Sequence, residues 1–227
     1  MKKLILIVMF FTSTIAFSQH TEERSVDDFT KVSMGISGDL VIKQGNQNSL
    51  VLKGDKETLD KIVTEVSNNN LKIKTKNGRW YKSYSNVTVF ITVVDLDAVT
   101  LGGSGNIKSD GKINCQSLDL AVSGSGNIEM NVEVNNNIDL SISGSGKIYL
   151  TGSSKEGELS ISGSGKLDAL DMTSEAFDIR ISGSGSAKIN VSKSIVANIS
   201  GSGSVQYSGN PEKVSSHASG SGSIKKI

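Results

Sequence analysis

The tripeptide Gly-Ser-Gly recurs seven times at a nearly constant spacing of 18 to 21 residues. Around Gly144, the residues two and four positions before and four positions after are Ile142, Leu140 and Ile148, and equivalent positions in other copies are mostly apolar. Alternation of this kind is typical of strands with one buried face. Each repeat therefore predicts a strand, a corner and a second strand. The copies begin at Gly103, Gly124, Gly144, Gly163, Gly183, Gly201 and Gly220.

A repeat of this length cannot bury its own apolar face, so successive copies must stack. Stacking turns each apolar column into a ladder with rungs about 4.8 Å apart. A β-propeller needs about 40 residues for each blade, and sandwiches rarely keep so uniform a spacing. We predict an all-β, single-stranded parallel β-helix or β-solenoid of about seven coils, roughly 30 Å long at that rung spacing.

The glycines are interpreted as corner residues. Glycine accepts positive φ and a close approach of backbone without steric cost. A phosphate-binding loop would need Ser or Thr after the lysine and then a helix. Lys147 is followed by Ile148 and Lys166 by Leu167, and strand patterns follow both. The sequence therefore favours a structural role for Gly-Ser-Gly.

The first residues resemble an export signal. Lys2 and Lys3 precede an apolar run from 4 to 11, and Ala16 and Ser18 are small residues before a cleavage point between Ser18 and Gln19. The apolar run is too short to favour a membrane anchor. We predict a signal peptide over 1–18, an N-terminal β region over 19–98 and the repeat solenoid over 99–227, the last two forming one structural unit.

Before the regular repeats, residues 36–45 resemble a degenerate coil with Gly38 at its corner. Residues 55–66 contain Leu59, Ile62, Val63 and Val66 at helical spacing, which predicts an amphipathic helix. Such a helix at one end of the solenoid could shield the terminal coil from edge-to-edge association.

Composition excludes several functions. Removing Lys2 and Lys3 from 24 basic residues leaves 22 against 23 acidic ones, a balance that does not attract nucleic acid. Cys115 is the single cysteine and is expected to be a small buried side chain. Catalysis by a nucleophile, a histidine and an acid could draw only on His217, because His20 adjoins the expected new terminus.

A column of carboxylates stands five residues before the first glycine of four successive repeats. These residues alternate with the inward column and are therefore predicted to point outward. Stacked carboxylates repel unless a cation intervenes, and oxygen ligands suit Ca²⁺. The alternatives are a solvated face neutralised by Lys147, Lys166 or Arg180, and a paired-carboxylate glycosidase site. The column consists of Asp119, Asp139, Glu158 and Asp178.

Residues 78–86, with the sequence GRWYKSYSN, concentrate aromatic and cationic side chains in one connection between strands. Aromatic rings could stack on sugar rings or anchor a protein, and the cations could supply polar contacts. They could equally cover one end of the solenoid. The candidate ligand-binding residues are Arg79, Trp80, Tyr81, Lys82 and Tyr84.

From about residue 26 onward the chain resembles a known family. The order of strands, the segment NNNLKIKTKNG, the segment VTVFITV and the reiterated GSGNI and SGSGKI carry the likeness. A GIN-type motif is matched by Gly105-Asn106-Ile107 and Gly126-Asn127-Ile128. The family is described as "putative autotransporter adhesin, head GIN domain". The resemblance implies a right-handed parallel β-helix in exported bacterial proteins, with no catalytic residues to transfer.

Two classes of function follow. The favoured one is a non-enzymatic, adhesin-like module, periplasmic or at the cell surface, that binds a cell-surface glycan or a protein. The alternative is a protein that binds or processes polysaccharide, and ice binding is a third hypothesis. No cofactor is expected other than Ca²⁺ on the acidic column. We also expect no nucleic-acid partner, no membrane span after cleavage of the signal, and self-association through the solenoid ends.

Overall fold

The repeat folds into a stack of coils, in a computed structural model that describes residues 20–76 and 87–227. The described chain is almost entirely strand and forms a β-solenoid of about six turns. Corner glycines of successive coils pair in register, as Gly124 does with Gly144 and Gly144 with Gly163. The predicted parallel solenoid is therefore confirmed, with a turn count close to the seven expected.

The described residues contain one short helix among many strands. The strands lengthen toward the middle of the chain, where one strand serves a whole coil. The elements are β1 (His20–Arg24), β2 (Lys31–Met34), β3 (Asp39–Gln44), β4 (Ser49–Gly54), α1 (Lys56–Leu59), β5 (Ile62–Ser67), β6 (Asn70–Thr75), β7 (Thr88–Val93), β8 (Ala98–Gly103), β9 (Asn106–Cys115), β10 (Leu118–Gly124), β11 (Asn127–Gly144), β12 (Lys147–Gly163), β13 (Lys166–Gly183), β14 (Ser186–Gly201), β15 (Ser204–Ser208), β16 (Lys213–Gly220) and β17 (Ser223–Lys226).

The strands form two ladders that meet at the Gly-Ser-Gly corners. The first ladder runs β5, β6, β2, β8, β10, then through the second halves of β11 to β14 to β16. The second runs β1, β4, β7, β3, β9, then through the first halves of β11 to β14 to β15 and β17. Each long strand thus contributes to both ladders.

The N-terminal region joins the stack out of sequence order. The coil made by β2 and β3 lies between the coil of β6 and β7 and the coil of β8 and β9. Gly38 accepts a hydrogen bond from the backbone N–H of Asn106, at the corner predicted for it. The degenerate coil is therefore confirmed, although it is the second in space and not the first.

The core is the set of columns read from the sequence. Leu140, Ile142 and Ile148 are 2%, 1% and 1% exposed, and equivalent side chains from the next coils stack on them. Only the last coil departs from this rule, since Ser216 and Ala218 are exposed. The apolar ladders thus run through the described stack and end at its C-terminal edge.

The two glycines of each corner are required for different steric reasons. Gly144 has φ +113°, and a Cβ there would lie 2.6 Å from the carbonyl oxygen of Gly124 in the preceding coil. Gly203 has ordinary φ, and its Cβ would lie 2.6 Å from Cγ2 of Ile181. The first glycine therefore permits the bend and close stacking of backbone, whereas the second leaves room for a core isoleucine.

The helix predicted over 55–66 is wrong in extent. Asp55 caps a helix of four residues by accepting a hydrogen bond from the N–H of Thr58 at 2.9 Å. Residues 62–67 instead form β5, which pairs antiparallel with β6 across a turn at Asn68 and Asn69, both with positive φ. β-branched side chains favour strands, and four residues of this segment are β-branched: Ile62, Val63, Thr64 and Val66. The tight turn that follows them closes a β-hairpin.

Replacement of corner glycines should separate backbone strain from steric contact. Gly144→Ala should cost about 3 kcal/mol or more of unfolding free energy, because it adds a clash to strain. Gly111→Ala, at φ +91° with open space around it, should cost only about 1 to 2 kcal/mol. Gly35→Ala, at ordinary φ with its nearest neighbour 3.6 Å away, should change stability by about 0.5 kcal/mol or less.

Urea unfolding followed by circular dichroism measures all three variants. Equal costs for Gly144→Ala and Gly111→Ala would show that the carbonyl of the preceding coil does not restrict the corner.

Candidate functional site

An unbroken column of serines lies on the outer side of the first ladder. The residue directly before the corner glycine is serine in six successive coils, and each of these side chains is exposed. We call this outer side of β10, the second halves of β11 to β14 and β16 the serine face. The column is visible in the sequence, because serine precedes the first glycine in six of the seven copies of the tripeptide. Its serines are Ser123, Ser143, Ser162, Ser182, Ser200 and Ser219.

The serine face contains a shallow depression of about 470 Å³. Five of its lining residues form one column, two positions farther from the corner than the serine column. Ser141 and Ser160 have short side chains, whereas Arg180, Asn198 and His217 have longer ones. We call it the serine depression. The surface that lines it is mostly apolar, and hydroxyl, amide, imidazole and guanidinium groups among its lining residues can donate and accept hydrogen bonds.

A second depression of about 530 Å³ lies at the other end of the same strands. Asp139, Glu158 and Asp178 line it together with Lys155 and Val196, and we call it the acidic depression. Val196 is 38% exposed and adds an apolar patch to a mainly polar surface.

Phe177 supports the floor of the acidic depression from the core side. The ring is only 3% exposed, and it fills the space that a side chain at Gly157 would occupy. The large ring of Phe177 therefore fills the space left by the absence of a side chain at Gly157 in the neighbouring coil, which keeps the packing dense.

The four carboxylates of the predicted column are brought together in register. Asp119 lies opposite Asp139, Asp139 opposite Glu158, and Glu158 opposite Asp178 on adjacent strands. The guanidinium of Arg180 donates to Glu158 and also to Asp178, the latter at 3.3 Å. One predicted neutralising cation is thus in place, and it links the two depressions because it lines the serine depression as well.

Among the described residues, Asp119 and Asp139 at the other end of the column form no ion pair, and Lys31 is the cation whose charge acts on Asp119. Burial raises the pKa of Asp119 above its ordinary value, and the neighbouring charge of Asp139 raises it further, while Lys31 partly opposes the shift. Asn137 donates a hydrogen bond to Asp139 at 3.2 Å. Asp119 and Asp139 are therefore a strained pair of like charges that a proton or a cation would relieve.

The structure does not assemble a larger metal-binding cluster around this pair. Within residues 20–76 and 87–227, no group of three or more His, Cys, Asp or Glu side chains is arranged to hold a metal ion. Calcium binding stays a prediction for the column of Asp119, Asp139, Glu158 and Asp178. Because Arg180 pairs with Glu158 and Asp178, Asp119 and Asp139 are the two carboxylates that remain available to a cation.

The aromatic candidate segment lies outside the described residues. Arg79, Trp80, Tyr81, Lys82 and Tyr84 all fall between 76 and 87. The flanking strands are described: β6 pairs with β2, and β7 pairs with β3. The segment therefore connects two strands of the coil that lies outside β2 and β3, and its ligand-binding role stays a prediction.

An amide ladder explains the asparagine of the Gly-Asn-Ile motif. Asn127 donates to the side-chain oxygen of Asn106 at 2.9 Å, and Asn106 donates to the carboxylate of Asp39 at 2.9 Å. The three residues occupy the same position in adjacent coils. The motif thus contributes to stacking of the coils next to the corner, and it does not line either depression.

Two other singled-out residues are also located. Cys115 is half-buried against the core, and burial raises the pKa of its thiol to about 11. A thiol with so high a pKa is a poor nucleophile at neutral pH. His217 is exposed on β16 at the rim of the serine depression.

Comparison with known families agrees with this architecture. The family model described as "Putative auto-transporter adhesin, head GIN domain" matches residues 28–211. The chain belongs to this family. A comparison with curated proteins found no significant match.

Solved structures share the fold across nearly the whole chain. A "putative adhesin" from Bacteroides fragilis is 23% identical with a TM-score of 0.88, over 93% of this chain and 98% of that one. A "putative lipid binding protein" from Parabacteroides distasonis is 26% identical with a TM-score of 0.77, over 93% and 98%. A "putative adhesin" from Parabacteroides merdae is 22% identical with a TM-score of 0.74, over 93% and 97%.

Among residues 20–76 and 87–227, no helix has the length and apolarity to cross a bilayer.

Neutralising Asp119 should stabilise the protein at neutral pH. The folded state raises the pKa of Asp119, so its unfavourable contribution is absent below the ordinary value of 3.8 and grows as the pH rises through the folded pKa. Asp119→Asn should therefore raise the unfolding free energy by about 0.5 kcal/mol at pH 7 and leave it unchanged at low pH. Asp168→Asn is the control, because Asp168 pairs with Lys188 and should gain nothing.

Calcium titration of the same variants tests the metal hypothesis. If Asp119 and Asp139 hold Ca²⁺, millimolar CaCl₂ should raise the melting temperature of the unmodified protein but not that of Asp119→Asn. An unchanged melting temperature in both would remove the metal site.

Proposed function

We propose that this protein is a non-enzymatic, adhesin-like binding module that acts outside the cytoplasm and holds a surface glycan on its serine face. The observation that carries the proposal is the joining of two depressions by Arg180 on one exposed, regular surface. Membership of the adhesin family and the adhesin names of similar structures support the general role.

The chemistry of the face suits a hydroxyl-rich polymer. The serine depression offers the hydroxyls of Ser162 and Ser182, the amide of Asn198 and the guanidinium of Arg180, while Glu158 in the acidic depression accepts hydrogen bonds. Most of these groups are exposed, so a ligand would replace water at modest desolvation cost. Repetition along the stack lets a long chain make the same contact several times, which raises avidity without a deep pocket.

A second candidate is a glycan that carries acyl chains. The similar structure from Parabacteroides distasonis carries a lipid-binding name and is 26% identical. Val196 supplies exposed apolar surface in the acidic depression, where a hydrocarbon chain could lie. Arrays with matched acylated and deacylated glycans distinguish the two candidates.

Processing of polysaccharide is the enzymatic alternative. It would need an acid and a base beside one bond. Arg180 holds Glu158 and Asp178 in ion pairs, which leaves Asp119 and Asp139 as the remaining carboxylates of the column. Measurement of new reducing ends after incubation with each bound glycan decides between binding and hydrolysis.

Filling the serine depression should weaken binding without unfolding the protein. Ser162 is exposed, so Ser162→Trp adds bulk to the surface and leaves the core unchanged. We expect about a tenfold loss of affinity, equivalent to about 1.4 kcal/mol, for glycans identified on an array. Thr173→Trp, at an exposed position of β13 outside both depressions, should bind normally.

Trp80→Ala tests the rival location. Loss of binding in Trp80→Ala with normal binding in Ser162→Trp would move the site to the segment 78–86. Normal binding in both variants would contradict both locations.

A further inference from the structure

The N-terminal end of the solenoid is capped by antiparallel strands, whose outermost members, β1 and β5, each keep one unpaired edge within the described part of the chain. β4 and β1 extend the second ladder, and β5 extends the first. The guanidinium of Arg24 on β1 donates to the carbonyl oxygens of Ile62 at 2.9 Å and Leu59 at 3.1 Å, and pairs with Glu22 at 2.9 Å. Arg24 thus connects the outermost strand of one ladder to the segment that begins the outermost strand of the other.

The C-terminal end has no comparable closure among the described residues. Every residue of β16 is exposed, and β16 and β17 each pair with a neighbour on one side only. Val214 is 41% exposed, whereas Ile195, one coil earlier in the same column, is fully buried. Interior positions and unpaired strand edges therefore face solvent together, a combination that favours pairing with another strand.

The outermost segments of the two ends carry opposite charge. Residues 209–227 contain three lysines and one glutamate, whereas 20–28 and 55–67 together contain eight carboxylates and three cations. Lys74, on the adjacent strand, neutralises Glu65, which still leaves an acidic surplus. The lysines are Lys213, Lys225 and Lys226, and the carboxylates are Glu22, Glu23, Asp27, Asp28, Asp55, Glu57, Asp60 and Glu65.

The ladder order places these charges opposite one another when two copies are stacked. β17 and β1 are the two ends of the second ladder, and they carry Lys225 with Lys226 and Glu22 with Glu23 respectively. β16 and β5 are the two ends of the first ladder. One translation along the solenoid axis brings β17 beside β1, whereas a tail-to-tail contact would oppose lysine to lysine. A gap one strand wide then remains between β16 and β5, because the second ladder has one strand more than the first beyond the coil of β6 and β7.

We propose that the open C-terminal end binds the acidic N-terminal end of a second copy of this chain. β17 would pair with β1 in parallel orientation, which follows from the strand directions within the second ladder. The contact uses different surfaces on the two copies, so it leaves a free end of each kind and generates open-ended filaments. Such filaments would align the serine faces of many copies.

Sedimentation velocity of the purified protein at rising concentration tests the contact. At about 0.01 M salt, where the Debye length is about 30 Å, the average mass should rise without a plateau. At about 1 M salt, where the Debye length is about 3 Å, it should fall toward the monomer. A monomer at every soluble concentration in low salt would overturn the proposal.

Charge reversal at each end provides the matched variants. The tail variant is Lys225→Glu with Lys226→Glu, and the cap variant combines Glu23→Lys, Asp27→Lys, Asp28→Lys and Asp60→Lys, which leaves four carboxylates against seven cations in the two outermost segments. All six positions are exposed, and thermal unfolding checks that both variants fold. Each variant alone carries like charges at its two ends and should remain monomeric.

A 1:1 mixture of the two variants should associate again, because the acidic tail of one meets the basic cap of the other. A mixture that stays monomeric would contradict the head-to-tail contact. A stable dimer that the cap variant leaves intact would show tail-to-tail pairing and overturn it too. Glycan binding by the monomeric variants is measured separately, so failure of either proposal is distinguishable from failure of the other.

Discussion

The close contact between corner glycines of successive coils is the constraint on which the rest of the structure depends. In five successive corners the carbonyl of the first glycine accepts the N–H of the following coil's serine, as Gly124 does from Ser145 at 2.9 Å. A Cβ on Gly144 would enter this contact. Because the backbones stack without side chains between them, the strands on both sides stay in register, and Ile142 reaches Ile161 in the core ladder.

The same register decides the chemistry of the surface. Residues that are about 20 positions apart in the chain become neighbours at strand spacing, so any residue type that recurs becomes a column. Serine directly before the first glycine forms a column of short hydroxylated side chains. Acidic residues five positions before that glycine form a column of negative charge. In one coil Arg180 lies between the two columns, which makes it the point where the serine depression and the acidic depression meet.

A stack of this kind has two ends, and the chain treats them differently. Antiparallel strands and Arg24 close the N-terminal end, and their outermost segments are acidic. The C-terminal end leaves parallel edges and the interior position of Val214 exposed beside lysines. Solenoids usually need polar caps to remain soluble, and one capped end with one open end gives the molecule a direction.

The sequence by itself determined the coil, its core columns and its corners. Apolar residues that alternate along a short repeat of nearly constant length are buried only when successive repeats stack, which predicts a parallel solenoid. It also determined that the acidic column faces outward. Tertiary structure alone decided that 62–67 is a strand, since β-branched residues fit both periods and only pairing with β6 selects one. It also decided the spatial order of the first coils, the partners of Arg180 and the closure of one end, because these depend on pairings between residues far apart in the chain.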